Sequence, residues 1–149
     1  MTAASVRDTG REMTEESTTP DLVERARLAI DAIGGRDLDA AVSFYAPHAV
    51  LEAVVGRFEG SAAIRGFLDD WLASYEEFAA EAEEVVALGS GVTFGVFRQS
   101  GRLVGSNALV QLRFALAAEW VDGVMVRAIT NPEIDAGRAA AERLAKKRG

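Results

Sequence analysis

Hydrophobic residues recur with two different periods along the chain, and these periods separate helices from strands. A period near 3.6 residues predicts an amphipathic helix, whereas alternation of apolar and polar residues predicts a strand. The helical period occupies residues 22–33, 38–45, 61–75 and 136–147, and the alternating or β-branched segments occupy residues 49–55, 78–88, 92–99, 106–120 and 124–130. Three helices therefore lie in the N-terminal half and an antiparallel run of strands follows. This order predicts an α+β fold with helices packed on one face of a curved sheet.

Turn and capping residues support these boundaries. Thr19-Pro20-Asp21 combines a capping hydroxyl, a proline at the first helical position and an acidic residue, so it predicts a helix start. Gly34-Gly35 predicts the end of that helix, and Pro47 predicts the end of the next one. Asp122-Gly123 is typical of a hairpin turn between the last two strands.

The longest predicted strand, residues 106–120, divides its side chains between two faces. One face carries Ala108, Val110, Leu112, Phe114, Leu116, Ala118 and Trp120, and the other carries Leu109, Gln111, Arg113 and Glu119. Such alternation is typical of a strand whose apolar face is turned toward a core.

Composition narrows the class of protein. Hydrophobic residues make up 49% and charged residues 26%, as in globular domains, and the absence of cysteine excludes disulfides and thiolate chemistry. The formal net charge of −7, with an acidic cluster between residues 76 and 84, argues against a nucleic-acid partner. Residues 1–20 are polar, and no apolar run reaches the length of a membrane span. We therefore expect a cytoplasmic protein without membrane contact, with a disordered tail over residues 1–20 and one domain over residues 21–149.

An ordered set of short strings resembles the SnoaL-like and ketosteroid-isomerase-like domains of the nuclear-transport-factor-2-like superfamily. Arg36-Asp37-Leu38-Asp39-Ala40 is similar to the start of their second helix, and residues 58–65 (FEGSAAIR) are similar to the start of their third. Asp122-Gly123 followed by Val126-Arg127 is similar to their last hairpin. The resemblance covers residues 21–147. It implies a cone-shaped, cystatin-like roll around a deep apolar pocket, closed by a C-terminal helix, and a homodimer formed through the outer face of the sheet.

The resemblance does not select a reaction, because this fold carries isomerases, cyclases, epoxide hydrolases, dehydratases and non-catalytic modules. In ketosteroid isomerases, a carboxylate base, a tyrosine and a protonated aspartate do the chemistry. Their positions fall on Ala53, Ala29 and Val110 here, and none of these side chains transfers a proton. SnoaL-type cyclases use an aspartate–histidine pair, whereas the single histidine here, His48, is predicted in a solvated turn. We predict no metal site and no cofactor.

Epoxide-hydrolase-like relatives use an acid, an arginine and a second acid. The nearest side chains here are Glu52, Arg98 and Arg113. If Ala53 and Val110 face the pocket, alternation places these three on the outer face of the sheet. We interpret them as a cross-strand charge network or part of a dimer contact, although a β-bulge shifts such a register by one residue.

The alternation and the resemblance together predict a pocket wall. Its predicted members are Tyr45, Ala53, Trp71, Thr93, Phe97, Val110 and Thr130. We predict a small-molecule pocket protein that binds an apolar ligand, and any reaction would be a cofactor-free isomerisation, cyclisation or dehydration. No catalytic residue is assigned. Two alternatives stay open: an epoxide-hydrolase- or polyketide-cyclase-like enzyme using Glu52 with Arg98 or Arg113, and a non-catalytic dimeric module whose pocket its own side chains fill.

Overall fold

The computed structural model describes residues 21–148, in which four helices and six strands form. The helices are α1 (Leu22–Gly34), α2 (Leu38–Val42), α3 (Ser61–Ala73) and α4 (Ile134–Arg148). The strands are β1 (Tyr45–Ala53), β2 (Gly56–Glu59), β3 (Tyr75–Gly89), β4 (Val92–Leu103), β5 (Leu109–Val121) and β6 (Val124–Asn131). The predicted tail over residues 1–20, including Thr19 and Pro20, lies outside the described residues. Asp21 caps α1, because its carboxylate accepts hydrogen bonds from the amides of Val23 and Glu24.

All six strands form one curved sheet in the order β2-β1-β6-β5-β4-β3. Neighbouring strands are antiparallel except β1 and β6, which run parallel. Helices α1, α2 and α3 contribute to the core on the concave face, and α4 packs against the opposite, outer face. The predicted α+β fold with a curved, mixed sheet and a C-terminal helix is therefore confirmed. None of the helices in this part of the chain has the length and apolar character needed to cross a membrane.

Strands β4 and β5 supply side chains to two separate cores. On the outer face, Phe94 of β4 and Ala117 of β5 pair in register and pack with Ala141 of α4. On the concave face, Phe97 and Ala118 join the larger core beneath the other helices. Both faces are buried or half-buried over residues 92–97 of β4 and 114–120 of β5, so the position of each of these residues in the alternation decides which core it enters.

A β-bulge in β3 changes that alternation at one point. Ala82 pairs with Phe97 and Glu84 pairs with Val96, so Glu83 is an extra residue between them. As a result, two consecutive glutamates, Glu83 and Glu84, lie on the outer face. Glu83 binds arginines of β4 and β5, and Glu84 lies 3.4 Å from Arg138 of α4.

Three features differ from the sequence prediction. Tyr45 and Pro47 belong to β1 rather than to the second helix, and the short strand β2 was not predicted. Pro47 is tolerated because the pairing of β1 with β6 is irregular between Tyr45 and Val50, where no amide proton is required. Tyr75 starts β3 instead of continuing α3, which ends at Ala73.

The position of α4 bears on the predicted homodimer. This helix covers the apolar part of the outer face, where Val92, Phe94 and Val96 are buried. The same face continues toward Arg98 and Arg113, which are exposed and charged. A homodimer formed through the outer face stays a prediction. Its interface would have to use the charged part of that face, which α4 does not cover.

Two glycine-to-alanine substitutions test the packing of α4. A Cβ on Gly137 would overlap the methyl group of Ala115, so the glycine allows α4 to lie close to the sheet. We expect Gly137→Ala to lower the free energy of unfolding by about 1–3 kcal/mol. Gly66 in α3 is exposed, and no neighbouring atom lies within 4 Å of the position that a Cβ would occupy there, so Gly66→Ala should raise the free energy of unfolding by about 0.5–1 kcal/mol. Urea unfolding measures both values, and equal effects of the two substitutions would contradict this packing.

Candidate functional site

A cavity of about 360 Å³ lies between the concave face of the sheet and helices α1 and α3. Its wall consists of Ile30, Ile33, Tyr45, Leu51, Ala53, Val54, Val55, Phe67, Leu68, Trp71, Ala80, Gln99, Leu112, Arg113, Phe114, Leu116, Thr130, Asn131 and Pro132. Most of these side chains are aliphatic or aromatic. Val54, Val55 and Leu112 are also exposed to solvent, so they mark the opening. The cavity is therefore an apolar space that opens at one end of the sheet.

Four of the seven residues predicted to line a pocket lie on this wall: Tyr45, Ala53, Trp71 and Thr130. Their role in ligand binding stays a prediction. Thr130 also donates a long hydrogen bond of 3.4 Å to the carbonyl oxygen of Glu52. These four residues come from β1, α3 and β6, so three separate elements meet at the cavity.

The other three predicted residues, Thr93, Phe97 and Val110, lie outside the cavity wall. Thr93 is buried and accepts a hydrogen bond from the indole of Trp120 at 2.9 Å. The Phe97 ring lies against Gly95 and Phe114 and is not part of the cavity wall. Val110 pairs with Gly101 near the start of β5, beyond the wall formed from Leu112 onward. Alternation identifies the side chains that lie on the concave face. The cavity occupies only part of that face, so some of these side chains do not border it.

An aromatic cluster forms one side of the cavity. Phe58 stacks on Phe67 with ring centres 4.6 Å apart, and Phe67 stacks on Trp71 at 6.4 Å. Trp71 then meets Phe78 and Phe114 edge to face at 5.4 and 6.5 Å. Trp71 thus packs against the core and also borders the cavity. Contacts of this type fix ring orientations.

Gln99 is a wall residue that the sequence interpretation missed. It is only 1% exposed, and its Nε2 donates to the Tyr75 hydroxyl at 2.8 Å. The Tyr75 ring packs over Gly101, where a Cβ would lie 2.6 Å from the ring. The alternation did contain this information, because Gln99 is two residues beyond Phe97 and has the same phase.

Burial strongly shifts the pKa of the Tyr45 hydroxyl. Removal from water raises the pKa of its hydroxyl to about 12. The phenol is therefore neutral at physiological pH and acts as a hydrogen-bond donor or acceptor, and not as a base. Tyr45 is the first residue of β1 and pairs with Met125 of β6.

The charged residues suggested for epoxide-hydrolase chemistry do not meet in the cavity. Glu52 binds Arg127 at 2.5 Å and lies 3.8 Å from Arg57. Arg98 and Arg113 instead share Glu83, at 2.8 and 2.9 Å. The hydrogen bond from Arg113, followed by that from Arg98, holds the pKa of the exposed Glu83 carboxyl below its usual value. The predicted outer-face charge network thus exists as two separate groups, and Glu52 does not belong to the one around Glu83.

The positions that correspond to ketosteroid isomerase chemistry are occupied by apolar residues in the fold as well. Ala29 is buried in α1, Ala53 presents a methyl group to the cavity, and Val110 is half-buried. His48 is exposed in β1 and is not part of the wall. In residues 21–148, no three His, Cys, Asp or Glu side chains are grouped as metal ligands would be.

Comparison with known proteins agrees with this architecture. A family model for the SnoaL-like domain matches residues 26–128. The chain belongs to the SnoaL-like domain family. No protein in a search of curated sequences matches it.

Several solved structures share the SnoaL-like fold of this chain. A candidate polyketide cyclase from Sinorhizobium meliloti is 26% identical, covers 76% of this chain and 95% of its own, and has a TM-score of 0.61. A ketosteroid-isomerase-like protein from Catenulispora acidiphila, solved with trimethylamine, is 15% identical, with coverages of 84% and 95% and a TM-score of 0.67. TerC, co-crystallised with polyporic acid, is 16% identical, with coverages of 81% and 98% and a TM-score of 0.66. The latter two likenesses concern the fold alone.

The raised pKa of Tyr45 predicts how stability depends on alkaline pH. The unfolded phenol ionises near pH 10 and the folded one near pH 12. Stability from the buried neutral phenol is therefore complete below pH 10 and is lost as the pH rises toward 12. Over that window the wild type should lose about 2–3 kcal/mol more of its free energy of unfolding than Tyr45→Phe. Urea unfolding of both proteins at several pH values tests this, and parallel pH profiles would contradict it.

Proposed function

We propose that this SnoaL-like protein binds one small, largely apolar molecule in the cavity beneath α1 and α3. The observation that carries the proposal is an open space of about 360 Å³ that the protein's own side chains do not fill. Ligand sites in proteins commonly enclose about 300–1,000 Å³ and have mainly apolar walls with a few polar groups. A non-catalytic module with a side-chain-filled pocket fits this structure less well.

The solved relatives support binding of a small molecule. Two proteins with the same fold were crystallised with one, trimethylamine in one case and polyporic acid in the other. The identity of the ligand is not transferred from them, because the sequence identities of 15% and 16% extend only to the fold.

The chemistry of the wall favours binding over proton transfer. Along residues 21–148, no Asp, Glu or His borders the cavity. The Tyr45 hydroxyl, with a pKa of about 12, is too weak an acid to supply a base at neutral pH. Arg113 borders the cavity, but its guanidinium is bound to Glu83. The wall therefore provides shape, apolar contact and hydrogen bonds.

A cofactor-free cyclisation is the second candidate function. It is favoured by the likeness to the Sinorhizobium meliloti protein, which is 26% identical to this chain. Such a reaction would use the cavity to fold a flexible substrate into a reactive conformation. Conversion of a polyketide-like substrate by the wild type, lost when the cavity is filled, would support cyclisation over binding alone.

The primary test is titration with N-phenyl-1-naphthylamine, a neutral apolar dye whose fluorescence rises in apolar surroundings. Ala80 and Ala79 are neighbours in β3, but Ala80 lines the cavity and Ala79 is exposed on the other face. Ala80→Phe places a ring in the cavity and should weaken dye binding at least about tenfold. Ala79→Phe adds the same ring outside and should leave the affinity within about twofold of the wild type.

The two variants distinguish a cavity site from general surface adsorption. Circular dichroism and thermal unfolding confirm that both variants fold. Failure of the wild type to bind the dye, or equal weakening by Ala79→Phe and Ala80→Phe, would contradict the proposed function.

A further inference from the structure

Two residues of the cavity wall, Tyr45 and Gln99, each carry a polar atom without a protein partner: the Tyr45 hydroxyl and the side-chain oxygen of Gln99. Both residues line the cavity, and among the hydrogen bonds of residues 21–148 neither atom takes part in one. In the same part of the chain, Arg127 Nε is the one side-chain nitrogen or oxygen atom that is both sealed from open space and unpartnered. The Tyr45 and Gln99 atoms therefore reach open space, and the space beside both residues is the cavity.

The Gln99 amide is held in a fixed orientation. Its Nε2 donates to the Tyr75 hydroxyl at 2.8 Å, and the Tyr75 ring is packed against Gly101. This bond uses one of the two N–H groups of Nε2, and the carbonyl oxygen Oε1, a pure acceptor, has no partner among residues 21–148. When a ligand displaces water from the cavity, an acceptor left without a donor is unfavourable, and a ligand that donates a hydrogen bond avoids this penalty.

The Tyr45 hydroxyl supplies the complementary donor. Burial keeps the phenol protonated at neutral pH, so its O–H is available to an oxygen of a bound molecule. Most of the other wall residues are apolar, among them Ile30, Ile33 and Leu51. Tyr45 and Gln99 thus offer one donor and one acceptor in a mainly apolar cavity.

We infer that the ligand is a hydroxylated apolar molecule that donates a hydrogen bond to Gln99 Oε1 and accepts one from the Tyr45 hydroxyl. This inference rests on the proposed function, because it names the ligand class of the same cavity. A ligand hydroxyl is both donor and acceptor, so its chemistry matches both protein groups. A ketone of the same shape satisfies Tyr45 alone, and the parent hydrocarbon leaves both groups unpaired.

Selectivity follows from the cost of leaving buried polar groups unpaired. A site built to hydrogen-bond a hydroxyl discriminates strongly against an analogue that lacks it. Tyr45 and Gln99 are therefore specificity-determining residues. Tyr75 is a positioning residue, since it holds the Gln99 amide and does not line the cavity itself.

Three ligands with one carbon skeleton test the inference: 1-tetralol, 1-tetralone and tetralin. Their affinities are measured by displacement of N-phenyl-1-naphthylamine and by calorimetry. The wild type should bind the alcohol about tenfold more tightly than the hydrocarbon, with the ketone between them. Tyr45→Phe should weaken the alcohol and the ketone and leave tetralin unchanged. Gln99→Leu should weaken the alcohol alone.

Gln111→Leu is the matched control, because it makes the same chemical change on the exposed outer face of β5. This control should keep the wild-type order of affinities. Tyr45→Phe removes a single oxygen atom, so the comparison of ketone with hydrocarbon remains measurable even if Gln99→Leu folds poorly.

The outcomes separate the ligand class from the existence of the site. Equal affinity of the wild type for all three compounds, or an alcohol preference that survives in Tyr45→Phe with Gln99→Leu, would overturn the inference and leave the proposed function standing. Absence of dye and tetralin binding alike would overturn both.

Discussion

The structure depends on one constraint: residues 92–97 of β4 and 114–120 of β5 are buried or half-buried on both faces, so their side chains must fit one of two cores. Phe94, Val96 and Ala117 satisfy the outer core under α4, and Phe97, Ala118 and Trp120 satisfy the concave core. The bulge at Glu83 adjusts the neighbouring strand to this arrangement. Helix α4 covers the apolar part of the outer face, and the unfilled space lies on the concave face.

The cavity persists because rigid groups surround it. The stacked rings from Phe58 to Trp71 and Phe114 hold α3 at a fixed distance from the sheet. Leucines in the same positions would adapt their rotamers more easily to fill a void, whereas stacked rings have few alternatives. Polar groups at the inner wall oppose collapse as well, since the amide of Gln99 is already fixed by Tyr75. Shape and polarity are therefore set before any ligand arrives, which lowers the entropic cost of binding.

Much of this architecture could be predicted from the sequence, and the failures have physical causes. Alternation in β5 correctly assigned Leu112, Phe114 and Leu116 to the concave face, where they border the cavity. The helical stripe of α3 correctly included Trp71 but was extended to Tyr75, because an aromatic residue fits a helix or a strand. The contact of the Tyr75 ring with Gly101 of β4 is visible only in the folded structure. Tyr45 was placed in a helix because Pro47 was interpreted as a helix end, whereas irregular strand pairing accommodates that proline.

The errors in the predicted site have a different cause. Thr93 and Phe97 had the right phase in the alternation, but they lie where side chains fill the concave core, and alternation alone contains no information on depth. Gln99 was overlooked because a polar residue in an apolar strand draws attention only when its partner, Tyr75, is known to be close.

The central claim is that a small molecule occupies the space between α3 and the concave face of the sheet. A crystal structure of the protein purified from its own host, or saturated with 1-tetralol, tests it most directly. The account predicts electron density for one molecule beside Trp71 and Leu116, with an oxygen atom within hydrogen-bonding distance of the Tyr45 hydroxyl and Gln99 Oε1. A cavity closed by rotated Trp71 or Phe114 side chains, with the added compound absent or bound only outside the cone, would contradict it.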